Sequence, residues 1–290
     1  MMLIKTGMFD IVALEGHSKA SNINNLSRIT AYAQDPVLNR PLKLNTVFIP
    51  GLEMNRYLFD TGTSREQCAS VVVKNRKNAL KNPSAPYGAN LTIEQIVNGP
   101  KLACPLGVYD VASHSDGAIV MVLASERTAR SINSKPIWII GMGWINDTPV
   151  LEYRNWSEPL YIKKAAAMAY QQAGITNPAK AIDFYEIDDT FSYKELQTLE
   201  ILGIYHSGEA GIETKEGLTS PNGEHPVNVS GGSLGNGNLL EANGLFRALE
   251  VILQLRGEAG SRQLPKAHVG LAQSWRGIPT NSGSVIILAN

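Results

Sequence analysis

Two continuous apolar segments place the strongest constraint on the fold of this 290-residue chain. They read GAIVMVLAS at residues 117–125 and PIWIIGMGWI at residues 136–145. Neither alternates polar with apolar positions, and both are rich in branched residues, which is typical of central strands buried on both faces of a sheet. A third apolar run, FDIVALEG at residues 9–16, predicts another buried strand. A sheet covered on both faces needs layers packed against it, so these runs predict an α/β fold.

The second half of the chain alternates helical and strand patterns. In chain order we expect helix 161–174, strand 181–187, helix 192–204, helix 244–257, and strands 268–274 and 282–290. Gly174 and Gly257 stand where helix-terminating glycines are common, and Ser192 and Glu195 have the spacing of a capping box. This alternation predicts a layered α/β domain with a buried sheet.

The first half is less regular. Residues 18–58 are polar and interrupted by prolines, so we expect a long loop region, and helix 64–82 follows with Ser64 as its cap. Polar residues, Pro149 and Pro159 cluster at residues 146–159. The sequence therefore predicts two units, residues 1–150 and 151–290.

Composition excludes several classes of function. The 26 basic and 26 acidic side chains give a net charge of zero, so nothing in the charge favours nucleic acid or an anionic membrane as a partner. The five histidines form no pair at ligand spacing, and we expect no metal site. Two cysteines are too few for a disulfide framework, no apolar run approaches the ~20 residues that span a bilayer, and the first residues lack a signal-peptide pattern. These observations favour the cytoplasm.

A run rich in glycine and asparagine, SGGSLGNGNLL at residues 230–240, comes directly before the helical pattern of residues 244–257. Glycine allows the backbone to approach a ligand closely. The run lacks the spacing of either phosphate-binding motif, so we do not expect a nucleotide there.

Four ordered patterns resemble the thiolase superfamily, in particular the thiolases related to sterol carrier protein X and the lipid-transfer-protein-like group. They are KNRKNALKNPSAPYG (74–88), CPLGVYDVASHSDGAIVMVLASE (104–126), IDFYEIDDTFSYKELQTLEILGI (182–204), and the glycine-rich run with its continuation LEVILQLRGEAG. The resemblance covers nearly the whole chain. It implies a layered α/β/α/β/α fold, a homodimer, coenzyme A thioesters as substrates and no covalently bound cofactor.

The chain departs from the family pattern at each catalytic position. The family's nucleophilic cysteine lies upstream of the segment that residues 4–21 resemble, so we expect the first half to be incomplete at its N-terminus. Asp188 stands at the first position of the "HDAF"-like motif, and Asn238 replaces the histidine of the "GHP" motif. The stretch QSWRGIP at residues 273–279 has no cysteine.

Each candidate residue has a catalytic and a structural interpretation. Asn238 is expected to donate a hydrogen bond to a carbonyl or enolate oxygen, or else to serve as a turn residue. Asp188 is expected to act as a general acid or base, or to cap the following helix together with Asp189. The residues expected to border the substrate are Gly231, Gly232, Gly237, Trp275 and Gly277; Trp275 would line the acyl pocket or simply cover it.

Three further residues are expected to be structural. His114 lies beside Asp116 in SHSDGA (113–118), but this stretch precedes a predicted buried strand and matches a structural turn of the family. Cys68 and Cys104 are expected to be buried, because free cysteine is among the most buried residue types.

The resemblance predicts an acyl-CoA enzyme subunit that makes or breaks a carbon–carbon bond by Claisen or retro-aldol chemistry. A non-catalytic CoA-binding or scaffold subunit is the alternative, and a misplaced start of the reading frame is a third explanation of the departures. The lipid-transfer-protein-like group works beside a partner with a zinc ribbon and an OB-fold. A separate N-terminal thiolase fragment is another expected partner.

Overall fold

The computed structural model describes residues 1–45, 47–132, 135–276 and 281–290. Its strands are β1 Ile11–Ser18, β2 Lys101–Ala103, β3 Leu106–Gly107, β4 Gly117–Ala124, β5 Trp138–Asn146, β6 Phe184–Glu186, β7 Val269–Arg276 and β8 Ser282–Ala289. Its α-helices are α1 Met2–Lys5, α2 Leu26–Ala31, α3 Phe48–Thr61, α4 Arg65–Ala79, α5 Ile93–Val97, α6 Glu126–Ile132, α7 Leu160–Ala173, α8 Pro178–Ala181, α9 Ser192–Ile201, α10 Ala210–Glu216, α11 Gly232–Asn236 and α12 Asn243–Arg256. None of the helices in these ranges is long and apolar enough to cross a membrane.

The larger sheet has the strand order β5–β8–β7–β6. Strand β8 pairs antiparallel with both β5 and β7, and β6 runs parallel to β7. Glycines let α7 approach β5 closely: a Cβ on Gly141 would lie 2.2 Å from the carbonyl oxygen of Ala169, and one on Gly143 2.1 Å from that of Ala165. Helix α12 packs against β7 at the other face, where a Cβ on Gly270 would lie 2.7 Å from Val251 Cγ1. The sheet is therefore covered by helices on both faces, which confirms the layered α/β prediction.

Within the described residues, a second sheet consists of β1 and β4, paired antiparallel from Ile11↔Ala124 to Ser18↔Gly117. Its inner face packs on the start of α12, where a Cβ on Gly16 would lie 2.8 Å from Leu245. The predictions that β1 is a buried strand and that β4 is buried on both faces are wrong. Val120 and Val122 are 65% and 68% exposed on the outer face, because no described element packs against it. Strand β5, predicted to be central, lies at the edge of its sheet.

Helix α3 corrects the expectation of a long loop over residues 18–58. Its third residue, Pro50, lies in the first turn, where the backbone amides need no intrahelical acceptor and proline is tolerated. Ile49 and Met54 are fully buried on its inner side. A proline in the sequence was therefore no evidence against this helix.

The two predicted units share a polar interior. Helix α4 begins with the predicted cap, since Ser64 and Gln67 form a reciprocal capping box. Further along, Asn75 Nδ2 donates to Asp189 Oδ2 over 2.9 Å. Strand β5, from the first predicted unit, belongs to the sheet of the second. The division at residue 150 stays a prediction.

The predicted capping box of α9 is not formed. Ser192 Oγ donates instead to Asp110 Oδ1 over 2.6 Å, and Glu195 accepts hydrogen bonds from Asn75 and Asn228 and pairs with Lys74. Tertiary partners therefore displace the local contacts that the spacing predicted.

Candidate functional site

The glycine-rich run forms the short buried helix α11 and a turn after it. Its amides are already bonded within the protein: those of Ser233 and Leu234 donate to the Asp189 carboxylate over 2.6 and 3.1 Å, and that of Gly232 donates to Ser230 Oγ over 3.1 Å. Burial raises the pKa of Asp189 to about 6, although the charge of Arg247 lowers it in part. Asp189 therefore caps α11 and leaves these amides unavailable to a ligand.

Packing explains Gly231, which precedes this helix, and Gly232, which is its first residue. Gly231 lies against α4, where a Cβ would come within 2.6 Å of Ala79 Cβ. A Cβ on Gly232 would lie 2.2 Å from Asp189 Oδ2. Both have positive φ, 100° and 56°. Their assignment to the substrate stays a prediction, since close packing alone accounts for both residues.

Asp188 is 1% exposed and lies just after the C-terminal end of β6. Its Oδ1 accepts a hydrogen bond from the amide of Thr190 over 2.9 Å, and its Oδ2 lies 3.1 Å from the Arg247 guanidinium. The interpretation of Asp188 and Asp189 as caps of the following helix is wrong, because α9 has no side-chain cap and Asp189 caps α11. A general acid or base role for Asp188 stays a prediction.

Asn238 is half-buried, and neighbouring groups fix the orientation of its side-chain amide. Its Oδ1 accepts hydrogen bonds from the amide of Leu240 over 2.9 Å and from Asn243 Nδ2 over 2.5 Å. Within the described ranges, no residue accepts a hydrogen bond from Asn238 Nδ2. The arrangement therefore presents an oriented, neutral donor.

The turn at Asn238 packs against residues 113–115. The amide of Asn238 donates to the carbonyl oxygen of Ser113 over 2.7 Å, and the amide of Ser115 donates to that of Asn238 over 3.1 Å. Gly237 has φ 92°, and a Cβ there would lie 1.9 Å from Ser115 Oγ. Glycine is therefore required for the two segments to meet, and contact of Gly237 with the substrate stays a prediction.

A cavity of about 640 Å³ opens beside this turn, between β4, α12 and residues 84–87. Its polar wall includes Tyr87, His114, Ser115, Asn236, Glu250 and Arg262. Its apolar wall includes Ile119, Leu239, Phe246, Leu249 and Leu253. Asn238 is not itself a lining residue, but it lies in the chain between two residues that are, Asn236 and Leu239.

Trp275 lies elsewhere, on β7. It is 6% exposed, contacts Phe191 edge to face with ring centroids 6.2 Å apart, and has Lys194 Nζ 4.6 Å from its ring centroid. It does not line the cavity beside Asn238, so its place at an acyl pocket stays a prediction. Gly277, the other residue predicted on this loop, lies outside the described residues.

Neither cysteine lines this cavity. Cys68 is fully buried on α4, and burial raises the pKa of its thiol well above the ordinary range. Cys104 is exposed in the turn between β2 and β3, which corrects the expectation that it is buried. In the part of the chain that the structure describes, no group of three or more His, Cys, Asp or Glu side chains is placed to hold a metal ion.

For two residues of this region, the sequence offered little indication that they lie close to Asn238. Asn243 is the first residue of α12, and only the structure shows that it holds Asn238. His114 was expected in a structural turn, and that turn lies against Asn238. Asp116, which lies close to His114 in the sequence, is bonded to Lys19 and Ser21.

Comparisons with known proteins agree with this fold. A family model described as thiolase C-terminal domain-like matches residues 147–290. An acetyl-CoA acetyltransferase of Methanothermobacter thermautotrophicus is 32% identical over 275 residues, which cover 94% of this chain and 71% of that protein. Sterol carrier protein 2 of Bos taurus is 33% identical over 216 residues, covering 72% of this chain and 39% of that protein.

Two solved structures are also similar. The structure described as "Ltp2-ChsH2(DUF35) aldolase" has a TM-score of 0.85 at 25% identity, covering 99% of this chain and 74% of that one. A monomeric SCP2-thiolase-like protein type 1 of Mycobacterium smegmatis has a TM-score of 0.72 at 17% identity, with 97% and 56% covered. Sequence and fold together show that the chain belongs to the thiolase family, among relatives of the sterol carrier protein and lipid-transfer-like thiolases.

Proposed function

We propose that this chain is a thiolase-type acyl-CoA enzyme subunit that makes or breaks a carbon–carbon bond. The observation that carries the proposal is the amide of Asn238, whose Oδ1 is bonded to Leu240 and Asn243, while Nδ2 has no acceptor among the described residues. When the carbon next to a thioester carbonyl becomes nucleophilic, negative charge develops on the carbonyl oxygen. A fixed neutral donor stabilises that charge without a protonation step.

The cavity supports an acyl-CoA thioester as the substrate. Its volume of about 640 Å³ lies in the range of small-molecule sites, roughly 300–1,000 Å³. The apolar side chains of Phe246, Leu249 and Leu253 offer a surface for an acyl chain. Two polar lining residues, His114 and Ser115, belong to the segment that pairs with Asn238. In this proposal the thioester is bound as a substrate, and no cofactor is covalently attached.

Retro-aldol cleavage is the direction we favour over thiolysis. Neither of the two cysteines in the sequence lines the cavity, and retro-aldol cleavage needs no acyl-enzyme thioester. The similar structure described as an aldolase supports this direction, whereas the archaeal acetyl-CoA acetyltransferase supports acyl transfer. Both reactions pass through an enolate on the thioester, so both use the same donor.

We further propose that the subunit works with another polypeptide. Strand β1 pairs with β4 along one edge, and no described strand pairs with its other edge. Ile11, Val120 and Val122 are 48%, 65% and 68% exposed on the outer face. Such apolar faces and open edges mark interaction surfaces.

Three partners are candidates for this face. Our first candidate is a second copy of the chain, and a separate thiolase-type N-terminal fragment is the second. A zinc-ribbon/OB-fold subunit, like the DUF35 partner named for the aldolase structure, is the third. Both cysteines are free, as in a reducing compartment, which supports a cytoplasmic setting for the assembly.

Turnover with two substrates tests the proposal. The purified chain, alone and with any co-purifying partner, is incubated with acetoacetyl-CoA plus free CoA and separately with a β-hydroxyacyl-CoA. We expect the second substrate to give a shortened acyl-CoA and a ketone or aldehyde; formation of two acetyl-CoA molecules from the first would indicate thiolysis. Retained binding of both thioesters without turnover would contradict the enzyme and favour the scaffold alternative.

A further inference from the structure

His114 and Asn238 lie side by side in an isolated parallel β-bridge. Two backbone hydrogen bonds hold it, from the amide of Asn238 to Ser113 and from the amide of Ser115 to Asn238. Residues paired in this way have Cα atoms about 4.8 Å apart and project their side chains to the same side. The bridge therefore points the imidazole and the oriented amide in one direction.

The imidazole of His114 is free to meet a ligand. His114 is exposed and lines the cavity, and its ring has no hydrogen-bond partner among the residues that the structure describes. Its backbone carbonyl accepts a hydrogen bond from the Tyr87 hydroxyl over 3.1 Å, which helps to hold the turn in place. Partial desolvation lowers the pKa of His114 below its ordinary value of 6.5, which keeps the ring neutral at neutral pH.

The charged groups around the cavity are paired with each other. Asp116 is bonded to Lys19 and to Ser21 on the side of β4 and residues 19–21. Glu250 of α12 accepts hydrogen bonds from the Arg262 guanidinium over 3.0 and 3.1 Å. Among the described residues, these pairs leave the imidazole as the unpaired proton acceptor at this wall. Asp188, by contrast, is buried against Arg247 and does not line the cavity.

We propose that His114 is the general acid–base residue of the carbon–carbon bond step for which Asn238 receives the enolate oxygen. This inference rests on the proposed function. In the retro-aldol direction, the neutral imidazole takes the proton of the β-hydroxyl group of a β-hydroxyacyl thioester. The O–H electron pair forms the new carbonyl bond at C3 while the C2–C3 bond breaks. The electron pair of the broken bond moves onto C2 and the thioester oxygen, opposite Asn238 Nδ2.

The cycle closes without another reactant. The imidazolium returns its proton to C2, which gives the shortened acyl-CoA and regenerates the neutral ring. The atoms of the β-hydroxyacyl-CoA are divided between the ketone or aldehyde and the acyl-CoA, and nothing is oxidised or reduced. A positioned base of this kind contributes about 10²–10⁴-fold in rate.

The test compares His114→Gln and His114→Ala with His206→Gln, an exposed histidine away from the cavity, in whichever assembly turns over the β-hydroxyacyl-CoA. We expect kcat to fall about 10²–10⁴-fold in both His114 variants with KM little changed, and His206→Gln to match the wild type. Added imidazole should restore part of the rate of His114→Ala. The wild-type rate should fall as the pH drops below the lowered pKa of His114, and the variants should lose this dependence.

The outcomes separate the two proposals. An inactive wild type contradicts the proposed function itself. An active wild type with unchanged kcat and pH profile in His114→Gln overturns the role of His114, and a large loss in Asp188→Asn alone would transfer it to Asp188. Circular dichroism identifies a His114 variant that fails to fold. In that case the wild-type enzyme provides the test. Its rate of hydrogen–deuterium exchange at C2 of the product acyl-CoA must fall as the pH drops below the lowered pKa of His114. An exchange rate that does not depend on pH also overturns the inference.

Discussion

Asn243 Nδ2 donates a hydrogen bond to Asn238 Oδ1, and Asn243 Oδ1 accepts one from the amide of Leu239. The first residue of α12 therefore fixes the side-chain amide of Asn238 and the backbone amide of the next residue, Leu239. Without Asn243, the amide of Leu240 would be the one remaining described donor to Asn238 Oδ1.

Replacement of Asn243 should reduce catalysis more than binding. In Asn243→Ala, Asn238 loses one of the two hydrogen bonds that orient it, and the buried amide of Leu239 loses its acceptor. We expect kcat to fall about tenfold and the free energy of unfolding to fall by about 1–3 kcal/mol. Steady-state kinetics and urea unfolding measure the two effects. An Asn243→Ala enzyme with wild-type kcat would show that Asn238 needs no such support.

Removal of the Arg247 charge should be the most destabilising change at the site. Arg247 is 1% exposed and lies 3.1 Å from Asp188 and 3.8 Å from Asp189. Arg247→Met would leave two buried carboxylates uncompensated, which costs about 3–5 kcal/mol. Arg256→Met, at the exposed end of the same helix, is the control and should change stability by about 0.5 kcal/mol or less. Equal stabilities of the two variants would contradict this account.

Glu186 should make stability depend on pH. Burial, together with the charge of Glu250, raises the pKa of Glu186 from its ordinary value of 4.5 to about 8. Between these values the folded protein holds a proton that the unfolded chain has lost, so the free energy of unfolding contributed by this group falls as pH rises. Glu186→Gln removes the titration and can still bond to Ser230. Its melting temperature relative to the wild type should therefore be higher at pH 8 than at pH 5.

The exposed Glu258→Gln serves as the control for that measurement. Its difference from the wild type should be the same at both pH values. A Glu186→Gln difference that also stays constant would place the pKa of Glu186 outside this window.

A side chain at Gly237 should separate the turn from residues 113–115. In Gly237→Ala the new Cβ would clash with Ser115 Oγ, and the positive φ of 92° would add strain. Gly62→Ala shares a positive φ, 71°, but its Cβ would meet open space. It therefore measures the conformational cost alone, about 1–2 kcal/mol. We expect Gly237→Ala to cost more than this and to lower kcat. Partial recovery in Gly237→Ala/Ser115→Gly would assign the excess to the clash.

A charge on the outer face of β4 should disrupt assembly without unfolding the chain. Val122 is 68% exposed on that face. Val122→Lys should leave the melting temperature nearly unchanged, since exposed substitutions away from special features change stability little. Light scattering after size exclusion, with the co-purifying partner present, should show loss of the complex. A complex that survives Val122→Lys would mean that this face is not the contact surface.

Patterns that depend on neighbours in the chain could be predicted from the sequence. Gly174 and Gly257 end their helices at φ 67° and 75°, and Ser64 caps its helix as predicted. The strands also formed where the apolar runs predicted them. Burial of those strands could not be predicted. The exposure of Val120 and Val122 depends on which elements pack against the sheet of β1 and β4, and neighbours in the sequence do not determine that.

The candidate site was predicted only in part for a similar reason. The motif pointed to Asn238, but its oriented amide depends on Asn243 and Leu240, and its position depends on the bridge to His114. Asp189 caps α11, which lies far along the chain, instead of the adjacent α9. Such contacts arise from tertiary packing, which spacing in a single sequence does not encode.

The rate of β-hydroxyacyl-CoA cleavage by Asn238→Ala, compared with the wild type in the same assembly, tests the central claim most directly. Thioester binding, measured by calorimetry, should stay within a few-fold of the wild type. If Asn238 Nδ2 stabilises the enolate oxygen, kcat should fall about 10²–10³-fold. An unchanged kcat with unchanged binding would contradict the claim.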